Sequence, residues 1–126
     1  MPKKKGPLIL KNICVKKSST HGYGVFATQK LRKGAVIEEC YILISKGGDI
    51  KLEDFYFDVK GKYAIFTGYG SIYNHSDDPN ADYIINAKKR IATIKTYRTI
   101  QKGEEIFVSY GDQWFSSRGL KAKNQT

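Results

Sequence analysis

Apolar residues in this chain recur at alternate positions or in short runs, and no stretch keeps a helical spacing beyond one or two turns. Leu8, Leu10, Ile13 and Val15 give a strand-like pattern over 8–17, with a break near Asn12. Val25, Phe26 and Ala27 form a short apolar strand after Gly22-Tyr23-Gly24, and Lys33-Gly34 marks a turn. Residues 35–45 (AVIEECYILIS) read as a buried strand with a bend at its two glutamates. A loop over 46–51 follows, then 53–59, where aromatics alternate with acids, and a hairpin turn at Lys60-Gly61-Lys62 leads into 63–66. Residues 81–87 and 90–97 read as two strands around a turn at Lys88-Lys89. A connection over 98–103 precedes a last strand over 104–110. The pattern predicts a mainly β domain of many short strands and tight glycine turns.

Between these strands lies GYGSIYNHSDDPN, residues 68–80. Ile72 and Tyr73 precede the polar group Asn74-His75-Ser76, so the stretch reads as a short turn of helix, pinned on its apolar side. It would offer amide and imidazole groups on the other side. Gly68 and Gly70 allow backbone to approach a ligand or another strand closely. Taken alone, the stretch is better read as a polar turn with ordinary Asx hydrogen bonds.

Length narrows the picture to one compact domain, since the chain has 126 residues. Residues 1–7 form a basic arm, 8–116 the domain, and 117–126 a basic polar tail. No apolar run is long enough to span a bilayer, and the start lacks the apolar region of a signal peptide. A soluble intracellular protein is therefore expected. Cys14 and Cys40 are too few for a disulfide framework or a zinc site; they read as buried or free thiols. The net charge of +10 favours nucleic acid or acidic surfaces as partners, although solvated termini account for much of it.

Three motifs change the picture when taken together. They are Gly22-Tyr23-Gly24 before a strand, Tyr73-Asn74-His75-Ser76 with Pro79-Asn80, and Gly103-Glu104-Glu105-Ile106 running to Ser109-Tyr110-Gly111. Each is weak alone, and the first fails the dinucleotide-binding pattern, which needs a third glycine opening a long helix. In this order and at these separations they resemble the SET-domain family of protein lysine methyltransferases, over residues 13–115. With no cysteine cluster on either flank, the chain looks most like the minimal, stand-alone members known from large DNA viruses. The resemblance implies a fold of several small curved sheets with short helical turns. It also implies a C-terminal pseudoknot, in which the chain end threads a loop near the Asn-His segment, against the usual rule.

The same resemblance implies the chemistry: methyl transfer from S-adenosylmethionine to a lysine amine, without a metal or a covalent enzyme intermediate. Catalysis is then mostly positioning. Tyr110, the family's closing tyrosine, is the expected catalytic residue and would orient the amine and the methyl group. A phenol is a poor base at neutral pH. Gly22, Tyr23 and Gly24 would wrap the cofactor, Asn74 and His75 would hold its amino-acid and adenine parts, and Phe115 or Trp114 would stack on the adenine. His75 reads equally as a structural histidine fixing the threaded loop. Asn80 and Ser76 read as structural, and Glu105 as paired within the fold. Phe55, Tyr69 and Trp114, with Tyr23 and Tyr110, would line a channel for the lysine stem. Phe57, Tyr63 and Phe66 read as core aromatics.

The expected substrate is a protein lysine, first of all in a histone tail, with nucleosomal DNA as a further contact for the basic arms. A histone substrate would place the protein in a nucleus or on chromatin. A non-histone protein substrate is one alternative, and a methyltransferase acting on a non-protein amine a weaker one. A non-catalytic basic module binding chromatin or nucleic acid is the rival of a different class. A homodimer is one way to complete an open substrate site.

Overall fold

The computed structural model describes residues 8–45, 57–59 and 62–109. Nine strands are present among them: β1 (Ile13–Lys17), β2 (Tyr23–Ala27), β3 (Val36–Ser45), β4 (Phe57–Val59), β5 (Lys62–Phe66), β6 (Asn74–His75), β7 (Ala81–Asn86), β8 (Ile91–Thr96) and β9 (Glu105–Val108). They form two sheets, one of four strands in the order β1-β2-β9-β6 and one of five in the order β4-β5-β3-β8-β7. Every strand pair is antiparallel except β6 with β9. Among the described residues no helix is present, and so none long enough to cross a membrane.

Alternation in the sequence becomes alternation of burial. In β9 Ile106 and Val108 point inward, and in β8 Ala92, Ile94 and Thr96 do so. Together with Val25, Ile37, Ile42, Phe66, Tyr73 and Ile100 they fill the core. Strand β3 breaks the rule, because Ile37 and Glu38 are neighbours and both are buried. A register shift between Val36 and Glu38 in the pairing with β8 explains it. An irregularity of this kind re-aims a side chain, and here it turns a carboxylate into the core. It lies where the two glutamates predict a bend.

The break expected near Asn12 is a left-handed residue (φ 63°) just before β1. The turn at Lys88-Lys89 joins β7 to β8, closed by the Asn86 side chain accepting from Lys89 N at 3.1 Å. The stretch over 68–80 differs from the expected helical turn. Residues 67–72 make successive tight turns, with Gly70 N donating to Thr67 O at 3.2 Å and Ile72 N to Tyr69 O at 2.8 Å. Gly68 sits at φ 66°, outside helical space, and Asn74-His75 are extended because their backbone pairs with Phe107 and Val108 of β9. The apolar pin is present: Tyr73 is fully buried. The expected pseudoknot concerns the chain beyond Ser109, outside the described residues.

Candidate active site

The side-chain amide of Asn74 is the centre of the site. Its Nδ2 lies 3.1 Å from His21 O, 3.3 Å from Tyr23 O and 2.7 Å from Glu105 Oε2. Three acceptors around one atom identify it as the NH2 group and fix the orientation of the amide. The opposite atom, Oδ1, accepts no hydrogen bond from the described residues, although Asn74 is only 6% exposed. A buried carbonyl oxygen without a donor is costly, so the position suits a donor from a ligand.

Glu105 closes the arrangement from below. Ser18 Oγ donates to its Oε1 at 2.6 Å, and the same Oγ accepts from Thr20 N at 2.9 Å. Ser18 N in turn donates to Gly22 O at 2.8 Å. The loop from Ser18 to Tyr23 is thus folded on one hydroxyl and tied to β9 by one carboxylate. Gly22 in this loop and Gly24 just after it in β2 are needed for different reasons. Gly22 has φ 50° with open space around it, so the requirement lies in the backbone. Gly24 is buried, and a Cβ there would run into the Glu105 carboxylate and lie 3.0 Å from Asn74 Nδ2. Gly24 is therefore the residue that lets β2 lie against the Asn74-Glu105 pair.

The neighbours of Asn74 hold the strands in place. His75 has an 8% exposed side chain and its Nε2 is 2.8 Å from Asp77 Oδ1. Ser76 N donates to Val108 O at 3.0 Å, and Ser76 Oγ accepts from Asp78 N at 3.0 Å. Asn80 bridges backbone with both ends of its amide: Nδ2 donates to Glu105 O at 2.9 Å, and Oδ1 accepts from Phe107 N at 2.8 Å. Ser76, Asn80 and Glu105 thus have the structural parts expected of them.

A second carboxylate, missed in the sequence, organises the turns before Asn74. Glu38 Oε1 accepts from the Tyr73 hydroxyl at 2.7 Å, and Oε2 accepts from Tyr69 N at 2.7 Å. Burial pushes the Glu38 carboxyl above its ordinary value, partly offset by the bonds from Tyr73 and Tyr69. Burial and then the adjacent Glu38 push Tyr73 well up, and the same two causes raise the Cys40 thiol. Cys40 therefore stays protonated and behaves as a core residue. A Cβ on Gly68 would strike Glu38 Oε2, and one on Gly70 would come within 2.8 Å of Cys40 Sγ. The only sequence signal for this cluster is a charged residue inside an apolar strand.

Of the expected site residues, Gly22, Tyr23, Gly24, Asn74 and His75 are brought together by β2, β6 and β9. Tyr23 is 59% exposed, and Tyr69 is half-buried against the core. Tyr110, Phe55, Trp114 and Phe115 lie outside the described residues. Phe66 is a core aromatic as expected, its ring edge-on to Tyr83 at 5.5 Å. Cys14 and Cys40 are both free thiols.

Two small sheets, one of them closed by a parallel pair whose outer strand carries Asn-His near a glycine turn, are the arrangement of the SET class. The chain belongs to the SET domain family, whose profile matches residues 22–111. It is similar to a Schizosaccharomyces pombe histone-lysine N-methyltransferase, H3 lysine-37 specific. The two are 27% identical over 125 residues, covering 92% of this chain and 85% of that protein. It is also similar to a crystal structure of a Plasmodium falciparum protein named as a candidate histone methyltransferase. There the TM-score is 0.73 and the identity 36%, over 84% of this chain and 98% of the other.

Proposed function

We propose that this protein transfers methyl groups from S-adenosylmethionine to the ε-amine of a protein lysine, first of all in a histone tail. The observation that carries the cofactor half of the reading is the buried Asn74 amide, oriented by three acceptors, whose oxygen takes no donor from the described residues. The ammonium of the cofactor's amino-acid part is a donor of the kind that this oxygen requires. Gly22, Tyr23 and Gly24 offer backbone beside it, and His75 and Phe115 complete the binding set. S-adenosylmethionine, when bound, supplies a methyl already activated on a positive sulfur.

The chain's own residues supply position and dryness. Tyr110 orients the attacking amine. Phe55, Tyr69 and Trp114 line the channel and strip water from the lysine stem. A lysine of ordinary pKa, about 10.4, is protonated at neutral pH, and desolvation beside a cation lowers that value toward the neutral, attacking form. The histone half of the reading rests on the names of the two relatives, and it places the protein on chromatin. The minimal, viral-like subtype, with a domain over 8–116, belongs to this reading through the resemblance alone. The basic balance of the chain supports the rival reading, a binding module without catalysis.

The deciding experiment incubates the protein with isotopically labelled S-adenosylmethionine and either purified histones or a cell extract, followed by mass spectrometry. Label on a histone lysine is expected. Label confined to another protein would keep the chemistry and discard the histone substrate. No label, with no cofactor binding by calorimetry, would leave the binding module. Tyr110→Phe should lower turnover by roughly 100-fold with cofactor affinity nearly unchanged; unaltered turnover removes Tyr110 from the catalytic position.

A further inference from the structure

At the far end of β2 from the Gly22–Gly24 turn, two loops form an open cleft of ≈ 590 Å³ lined by Lys30, Arg32, Lys33 and Thr99. We infer that this cleft is a docking site for the phosphate backbone of duplex DNA, independent of the methyltransferase reading. Three cations and a hydroxyl are the groups that contact phosphate oxygens, and all four residues are exposed. None of the four is acidic, and residues 28–35 contain no acid at all. None is aromatic either, so the cleft lacks the stacking platform of a single-strand site. The nearby Arg98 is 3.3 Å from Asp78, and Glu104 Oε1 accepts from Gln101 N at 2.6 Å.

The frame under these side chains is rigid. Leu31 and Ile100 exchange backbone hydrogen bonds at 2.8 and 2.9 Å, zipping the two loops together. The buried Thr96 hydroxyl donates to Arg32 O at 2.7 Å and accepts from Ala35 N at 2.9 Å, and Gly34 N donates to Thr96 O at 3.0 Å. The turn bearing Arg32 and Lys33 is therefore fixed before any partner arrives, and only side-chain freedom is lost on binding. Duplex DNA, with a charge every ~1.7 Å along its axis, matches a compact group of three cations better than a flexible acidic peptide does.

The test measures fluorescence anisotropy of a labelled DNA duplex against the full chain over a series of salt concentrations. The triple variant Lys30→Ala/Arg32→Ala/Lys33→Ala is expected to bind at least about tenfold more weakly and to flatten the log–log salt slope by about 2 to 3. Its melting temperature should be close to that of the parent, because all three side chains are exposed. Lys30→Arg/Lys33→Arg should keep the affinity, and a loss there would show that charge is not the determinant and overturn the proposal. Unchanged affinity and slope in the triple variant would assign DNA binding to the terminal arms and overturn it too. A labelled polyglutamate peptide that binds as tightly, and loses as much, would assign the cleft to an acidic protein instead.

Discussion

Glu38 and Glu105 are built alike and serve different ends. Each carboxylate takes one hydroxyl donor, Tyr73 or Ser18, and one N–H donor, Tyr69 N or Asn74 Nδ2. Each lies under a glycine, Gly68 or Gly24, whose missing Cβ makes room for it. They differ in water. Glu38 is 1% exposed and anchors the turns behind Asn74, whereas Glu105 is only half-buried and holds Asn74 itself. One device therefore serves twice, once for the scaffold and once for the site. The dry copy holds the scaffold, and the wetter copy holds the amide on which the proposed cofactor site is built.

The sharpest way to break this comparison is to fill both glycines. Gly24→Val should abolish cofactor binding by calorimetry, since the new side chain displaces Glu105 and Asn74, at a cost of about 1–3 kcal/mol in stability. Retained binding would show that the glycine turn plays no part in the site. Gly68→Ala, strained at φ 66° and pushed against Glu38, should cost roughly 2 kcal/mol or more in urea melts yet leave cofactor affinity in the folded protein nearly unchanged. If both variants lose binding equally, the division between scaffold and site fails.

Removing the hydroxyl donors gives smaller effects with the same contrast. Tyr73→Phe leaves a buried Glu38 oxygen unsatisfied and should cost about 1–3 kcal/mol. Ser18→Ala, on the half-exposed Glu105, should cost about 1 kcal/mol or less and appear mainly as weaker cofactor binding. The smallest effect is one of pH. Glu38 binds its proton more readily when folded than when unfolded, so the native state holds the extra proton between the ordinary carboxyl value and the raised one. Its contribution is full below the unfolded value and declines as pH rises through that interval. Glu38→Gln should remove that decline from the stability–pH curve, and an identical curve would mean that the carboxyl is not strained by burial.

Much of this was legible in the chain. The alternating strands over 81–87 and 90–97 and the break at Asn12 follow from local pattern and turn chemistry, and the structure has them within a residue or two. The grouping of Gly22-Tyr23-Gly24 with Asn74 was legible only through the order of three motifs, because side-chain to backbone contacts about 50 residues apart leave no periodic trace. The stretch 68–80 misled toward helix: the apolar pair Ile72-Tyr73 suggests a helical face, whereas 67–72 make tight turns with Gly68 left-handed, and pairing with β9 draws Asn74-His75 into extended chain. Glu38 was hidden because the irregularity in β3 reverses the inside–outside phase at that point.

The single parallel pair between β6 and β9 has a consequence for how the molecule assembles. Two residues of β6 cannot hold a strand by themselves. They depend on β9, which itself pairs with β2, some 80 residues earlier in the chain. The loop-closure entropy of that sequence of contacts must be met before any of them rewards it. The surroundings of Asn74 therefore rest on long-range contacts alone, and a ligand that binds only the folded chain there would stabilise the whole fold by mass action.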